Sequence, residues 1–257
     1  MRVRILQRQR LSEVLRDWVI ASGFVASALW LSQVVAAEPA PQALTAPELM
    51  RAAHEGRATW QAFPGFKAKV SAATNEHAVE GQLTVSADGK SQLDLPSREG
   101  FEWISRTLDS LIGHRLADGD AVENVEFADE QIHHPLGRLI RSSDGTDKSL
   151  WRVRDDVLVE VQRFNEKTHF VISVADVLRT PDGKHLPQDF TVTTWDNASG
   201  QLVSSRQVHT EWKTVDSVAV PSVWWAAINT PDGKRTVQRL ELTEQQLLPV
   251  PEKTAAR

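Results

Sequence analysis

The sequence contains no cysteine and no tyrosine. Without cysteine the chain can form no disulfide, no thiolate metal site and no thiol nucleophile, and it cannot carry a lipid on an N-terminal cysteine. The missing tyrosine stands beside nine tryptophans, an exchange for which we have no physical account. Also missing are the Gly-x-Ser-x-Gly, His-Glu-x-x-His, P-loop and dinucleotide patterns that announce common hydrolases, metalloproteases and nucleotide enzymes. Paired carboxylates leave no such spacing, so these absences lower the case for an enzyme without closing it. An excess of positive charge is missing too, with 29 Lys and Arg against 34 Asp and Glu. A formal charge of −5 with scattered basic residues offers no electrostatic footprint for nucleic acid and no patch for an anionic membrane surface.

What is present is ordinary for a globular protein: 257 residues, 41% hydrophobic and 25% charged. The first 37 residues stand apart. Arg2, Arg4, Arg8, Arg10 and Arg16 form a positive leader, Trp18 to Ala37 runs without charge, and Val35-Ala36-Ala37 supplies the small residues a signal peptidase accepts. Residues 1–37 are therefore read as a signal peptide cleaved after Ala37, leaving the mature protein in the periplasm or cell envelope. The rival is an uncleaved anchor, the only route by which this reading allows membrane contact. Against those five arginines stand Glu13 and Asp17, a net +3, so cleavage moves the chain from −5 to −8. Residues 38–44 read as a flexible start, 45–245 as a single domain and 246–257 as a flexible tail.

Within the domain, Thr45 and Glu48 have capping-box spacing and Pro47 falls in a first turn, which predicts a helix to about residue 61. Its face would hold Leu49, Ala52, Ala53, Gly56 and Trp60. "FPGF" at 63–66 reads as punctuation: Pro64 ends the helix, Gly65 frees the turn, and the two phenylalanines plug a helix–sheet joint. Two or three strands follow, with Asp88-Gly89 as a hairpin turn. A second helix is predicted over 98–112, capped by Ser97, with Phe101, Ile104, Leu108 and Leu111 as its stripe and Gly113 as its stop. A strand near "NVEFAD" and another within "HHPLGRLIRSS" come next. From Leu150 the pattern is regular, seven strand-like runs separated by Asp155-Asp156, "NEKT", "PDGK", "NASG", "DS" and a second "PDGK". The two copies of "TPDGK" read as two turns rather than as a repeat.

Few polar groupings could carry chemistry. His133 and His134 are neighbours, which on a strand would point apart, so only a loop could let them share an ion. His209 and Glu211 share a strand face as many exposed pairs do. The most loaded segment is His114, Arg115, Asp118 and Asp120, a polar cluster that His133 could join. Asp-x-Asp opens like a calcium loop, but Asp129 stands where the closing glutamate belongs. The plainer reading is basic residues at a helix C-terminus followed by an acidic turn. No metal, no cofactor and no catalytic residue is expected.

The apolar residues say more. "HFVISVADVLRT" places Phe170, Ile172 and Val174 on one face and Val171, Ala175 and Val177 on the other, and "VPSVWWAAI" is apolar on both. Such strands need two covers, or a half-closed barrel with an apolar interior. Trp195, Trp212, Trp224 and Trp225 lie on three of these strands and are the candidate ligand-binding residues, with one of the adjacent pair Trp224 and Trp225 facing away from the other.

"FPGFKAKV", the Asp88-Gly89 turn, "WISRTLDSLIGHRL", "HPLGRLIR", "LWRVRDD", "LPQDFTVTTWDNASGQLVSS" and Trp212, in this order, resemble an exported bacterial family catalogued as domain of unknown function 3386. The resemblance covers residues 45–245 and implies no catalytic residues, because the family has no assigned activity. The expected fold is α+β and mainly β: a long, curved antiparallel meander, half-barrel-like, with two covering helices. That outline is similar to half-barrel carriers of lipoproteins or lipids in the periplasm. Two functions follow as expectations: a module that binds a lipid or other apolar ligand in the sheet's concavity, or a scaffold or interaction domain of the cell envelope. Oligomeric state is left open.

Overall fold

The computed structural model describes residues 44–116, 124–143 and 148–249. Their core is one antiparallel sheet built from β1 (Gly65–Thr74), β2 (Ala78–Ser86), β3 (Ser91–Asp94), β4 (Val125–Phe127), β5 (Arg138–Ser142), β6 (Ser149–Arg154), β7 (Val157–Phe164), β8 (Thr168–Arg179), β9 (His185–Asp196), β10 (Leu202–Val215), β11 (Val218–Asn229) and β12 (Arg235–Leu247). The strand order is β3-β2-β1-β12-β11-β10-β9-β8-β7-β6-β5-β4. The seven runs after Leu150 are the seven strands β6 to β12. Both "PDGK" segments are tight turns, where Gly183 and Gly233 take φ of +80° and donate to the carbonyls of Thr180 and Thr230. The sheet is open and curved, and both helices pack on one of its faces, the inner face.

Helix α1 (Ala46–Glu55) has the capping box its sequence announces: Thr45 accepts from the Glu48 amide and Glu48 reaches back to the Thr45 backbone. It stops earlier than the expected residue 61. Past Gly56 the chain pairs instead, with His185 N donating to Gly56 O at 2.8 Å and Ala58 N to His185 O at 2.9 Å. The stripe shifts accordingly. Ala46, Met50 and Ala53 are buried, in one cluster with Val125, Ile140, Trp151 and Val153, so α1 covers the β4–β7 part of the inner face.

Helix α2 (Trp103–Gly113) starts later than the expected residue 98. Its N-cap is Glu102, which makes no side-chain capping bond, while the Ser97 hydroxyl accepts from Glu99 in the turn before it. Trp103, Ile104, Leu108 and Ile112 are the buried helical residues; Leu111 is only partly buried, and Phe101 is buried ahead of the helix. Together they pack on Phe66, Val70, Leu83, Val208, Trp224, Leu240 and Leu242, the β10–β3 part of the inner face.

The joint between α1 and β1 is an aromatic plug. Trp60 and Phe63 stack at 4.1 Å, Phe66 meets both edge-on or tilted, and Trp60 Nε1 donates to Ala219 O at 2.7 Å. Gly65 makes the turn into β1 possible. Its φ is +94°, and a Cβ there would lie 2.4 Å from Val85 O. Strand β12 continues to Leu247 and Leu248 N donates to Gly65 O, so folded structure passes the expected boundary at 245. The leader, the cleavage site at Ala37 and Glu38, and residues 250–257 lie outside the described residues.

Candidate functional site

The register fixes which side chains share the inner face, because residues directly opposite in paired strands point the same way. One row crosses the middle of the sheet: Val161 opposite Ile172, Ile172 opposite Val192, Val192 opposite Arg206, and Arg206 opposite Ile228. A second row, nearer the β7–β8 turn, reads Arg163, Phe170, Thr194 and Ser204. Phe170, Ile172, Val174 and Val192 are half-buried, and none belongs to the α1 cluster or the α2 cluster. They form an apolar strip on β8 and β9 that neither helix covers.

Two arginines flank that strip. Arg163 donates to the Ser149 hydroxyl and lies 5.2 Å from the centroid of the Trp151 ring. Arg206 stands on the opposite side. Surrounding protein holds both guanidinium groups below the ordinary arginine value, and for Arg206 the positive charge of Arg106 on α2 adds to that desolvation. Arg206 is also solvent-accessible.

Clefts of about 1080 and 1000 Å³ lie at the two ends of the strands. The first is bounded by α1, Trp60, Lys184 and Ser217, the second by Asn75, Phe101 and Arg235, and both linings mix polar with apolar groups. Beside the first, His185 is buried next to Asp156, with its Nδ1 4.0 Å from the carboxylate. Burial pushes the imidazole down to about 4 despite Asp156, while the hydrogen-bonded Arg179 guanidinium holds Asp156 at about 2.

The sequence-derived candidates do not share one surface. Trp224 is buried on the inner face against Trp103. Trp225 faces outward beside His209, and Trp195 lies outward on His169, itself stacked on Phe164. Trp212 follows a register shift at Glu211/Trp212, donates to Pro187 O at 2.9 Å and sits 5.7 Å below the Arg115 guanidinium. Arg115 is buried and ties α2 to the α1–β1 connection through Ala58 O at 2.7 Å, a structural position. His114 is the exposed C-cap of α2, and His133 is exposed in the β4–β5 turn, where the neighbouring His134 accepts from Leu136 N. Asp118 and Asp120 lie outside the described residues. His209 does gather carboxylates, Asp189 at 2.8 Å and Glu211 at 3.6 Å, on the outer face. Among the described residues no three such groups have metal-holding geometry.

The model for the family described as Protein of unknown function (DUF3386) matches residues 41–248. The chain belongs to this family. No curated protein matches it. Among solved structures, this DUF3386 chain is similar to a LolA superfamily protein from Nitrosomonas europaea, at 8% identity over 84% of this chain and 99% of that one, with a TM-score of 0.29. It is similar also to an outer membrane lipoprotein-sorting protein domain from Vibrio parahaemolyticus, at 11% identity over 82% and 93% and a TM-score of 0.31. A DUF1329 family protein from Desulfovibrio piger gives 8%, 82%, 93% and 0.27. Likenesses this slight carry neither function nor detailed geometry to the DUF3386 chain.

Arg163 and Arg206 are the inner-face residues that sequence reading passed over. A signal existed. Arg163 has the parity of Val159 and Val161, and Arg206 has the parity of Val208, so each is a charge written into the apolar face of its strand.

Proposed function

We propose that this DUF3386 protein acts by binding rather than by catalysis, holding an apolar ligand on the inner face of its sheet between α1 and α2. The observation that supports this reading is the strip Phe170, Ile172, Val174 and Val192. Large apolar side chains on the concave side of a sheet are normally closed off by the core, and these remain half-open between two packed clusters. The arginine-rich leader supports export, with the ligand met in the periplasm or cell envelope.

The test is native mass spectrometry of the protein purified gently from its own host, with its N-terminus sequenced. A co-purified lipid on a chain beginning at Glu38 is the expected result. Val192→Glu should strip that lipid away, whereas Thr193→Glu, one residue on and on the opposite face, should retain it. Loss of lipid from neither variant, or a lipid-free wild type, defeats the reading.

A second reading, an interaction domain of the envelope, has its own observation. On the outer face Phe164, His169 and Trp195 stack in series, with centroids 5.6 and 5.0 Å apart, beside exposed Leu202 and Val203. A protein partner in place of a lipid in the same spectra, lost on Trp195→Ala, would favour it.

A further inference from the structure

The arginines around the strip differ from others in the molecule. Arg138, Arg141, Arg152, Arg179 and Arg239 each lie beside a carboxylate, as expected in a chain of net negative charge. Arg106, Arg163 and Arg206 have no carboxylate within ion-pair distance among the described residues, a lack they share with Arg51, Arg98, Arg154 and Arg235; what sets Arg163 and Arg206 apart is their place at the two sides of the apolar strip. Two cations, Arg163 and Arg206, thus bound one apolar surface without a counter-ion among the described residues. The positive charge of Arg106 on α2 acts on Arg206 as well.

Leaving like charges unpaired in a hollow is unfavourable for the protein alone, and an anion entering between them relieves it. The same position is the edge of the apolar strip: Arg206 is directly opposite Val192 on one side and Ile228 on the other. Arg163 bounds the strip three strands away, roughly 14 Å at ordinary strand spacing. Between the two arginines lie Phe170, Ile172, Val192 and Thr194, with no acidic side chain in either inner-face row. A ligand suited to this surface carries its negative charge at one end of an apolar body.

We propose that the site selects an anionic acyl amphiphile, with Arg206 and Arg106 holding the headgroup and Phe170, Ile172, Val174 and Val192 holding the chain. Arg163 closes the far side of the strip and keeps its guanidinium anchored on Ser149 and Trp151. This inference rests on the inner-face binding reading above, and adds to it the charge of the ligand and the residues that read it.

Calorimetric titration of the full mature protein separates the two claims. The probes are dihexanoylphosphatidylglycerol and dihexanoylphosphatidylcholine, each kept below its micelle concentration, with inorganic phosphate as the chainless anion. The glycerol lipid should bind about tenfold or more tightly than the choline lipid, the scale of one or two charge-assisted hydrogen bonds. Arg206→Gln combined with Arg106→Gln should erase that preference, weakening the glycerol lipid more than the choline lipid until the two bind alike, while an unchanged circular dichroism spectrum and thermal midpoint show that the variant is folded. Equal affinities in the wild type, a preference that survives the double substitution, or inorganic phosphate binding as tightly as the glycerol lipid would each overturn headgroup selection and leave apolar binding standing. Failure of both lipids to bind would overturn the proposed function as well.

Discussion

The indoles of Trp103 and Trp224 stack with centroids 5.6 Å apart, joining the start of α2 to the inner face of β11. Through this contact α2 is fixed along one side of the uncovered strip, and Arg106, within the next turn of the same helix, comes near Arg206. Packing of the helix and electrostatics of the hollow are therefore coupled.

The α2 interface should be worth several kcal/mol at single positions. Leu108 is fully buried in it and Glu102 is exposed. Truncating a leucine so enclosed costs ~2–5 kcal/mol. Chemical denaturation should place Leu108→Ala well below the wild type and Glu102→Ala within about 0.5 kcal/mol of it. Similar small losses from both would mean that this face of α2 does not support the fold.

His185 should make stability depend on pH in a defined window. Its ordinary value is 6.5 and burial lowers it to about 4 in the folded protein. As pH falls below 6.5 the unfolded chain takes up a proton that the folded chain refuses. Stability from this group is thus complete above 6.5 and declines toward 4, by up to roughly 3 kcal/mol. Asp156, lowered from 3.8 to about 2, acts only below that window. Urea titrations across the window should show a steeper fall for the wild type than for His185→Leu. Parallel slopes would show that the imidazole is not the group responsible.

Gly65 should tolerate no side chain. Alanine would combine a φ of +94° with a Cβ 2.4 Å from the Val85 carbonyl oxygen, on backbone that cannot swing away. Gly100, also at positive φ, has nothing within 4 Å. We expect Gly65→Ala to cost at least ~2 kcal/mol and Gly100→Ala about half that or less. Equal thermal shifts for the two would show that the clash is relieved by a shift of β2.

Strands were legible where turn chemistry and alternation agree, as from Leu150 to Leu247, because both signals are local. Helix ends were less so. Nothing local in "EGRATW" shows that residues 57–60 will bridge to β9 and to Leu116, and those distant partners end α1. The indoles show a second limit. Alternation separates Trp224 from Trp225, but which one faces the helices depends on how β11 pairs with β10 and β12, and the register shift at Trp212 breaks the count. The arginines of the strip were written in the parity of β7 and β10, yet an inward charge reads as noise until the uncovered surface around it is seen.

The sheet also tapers. Its inner strands run to 12, 13 and 14 residues, while the edges β3 and β4 have 4 and 3. An open sheet offers unpaired amides and carbonyls at both margins, and a long margin invites a second chain to add itself there. Here the outermost strand at each margin is short, with α2 packed near β3 and α1 against β4, although β3 pairs with only residues 82–85 of β2. The ladder that either outermost strand offers to another copy of the chain is thus only 3 or 4 residues long.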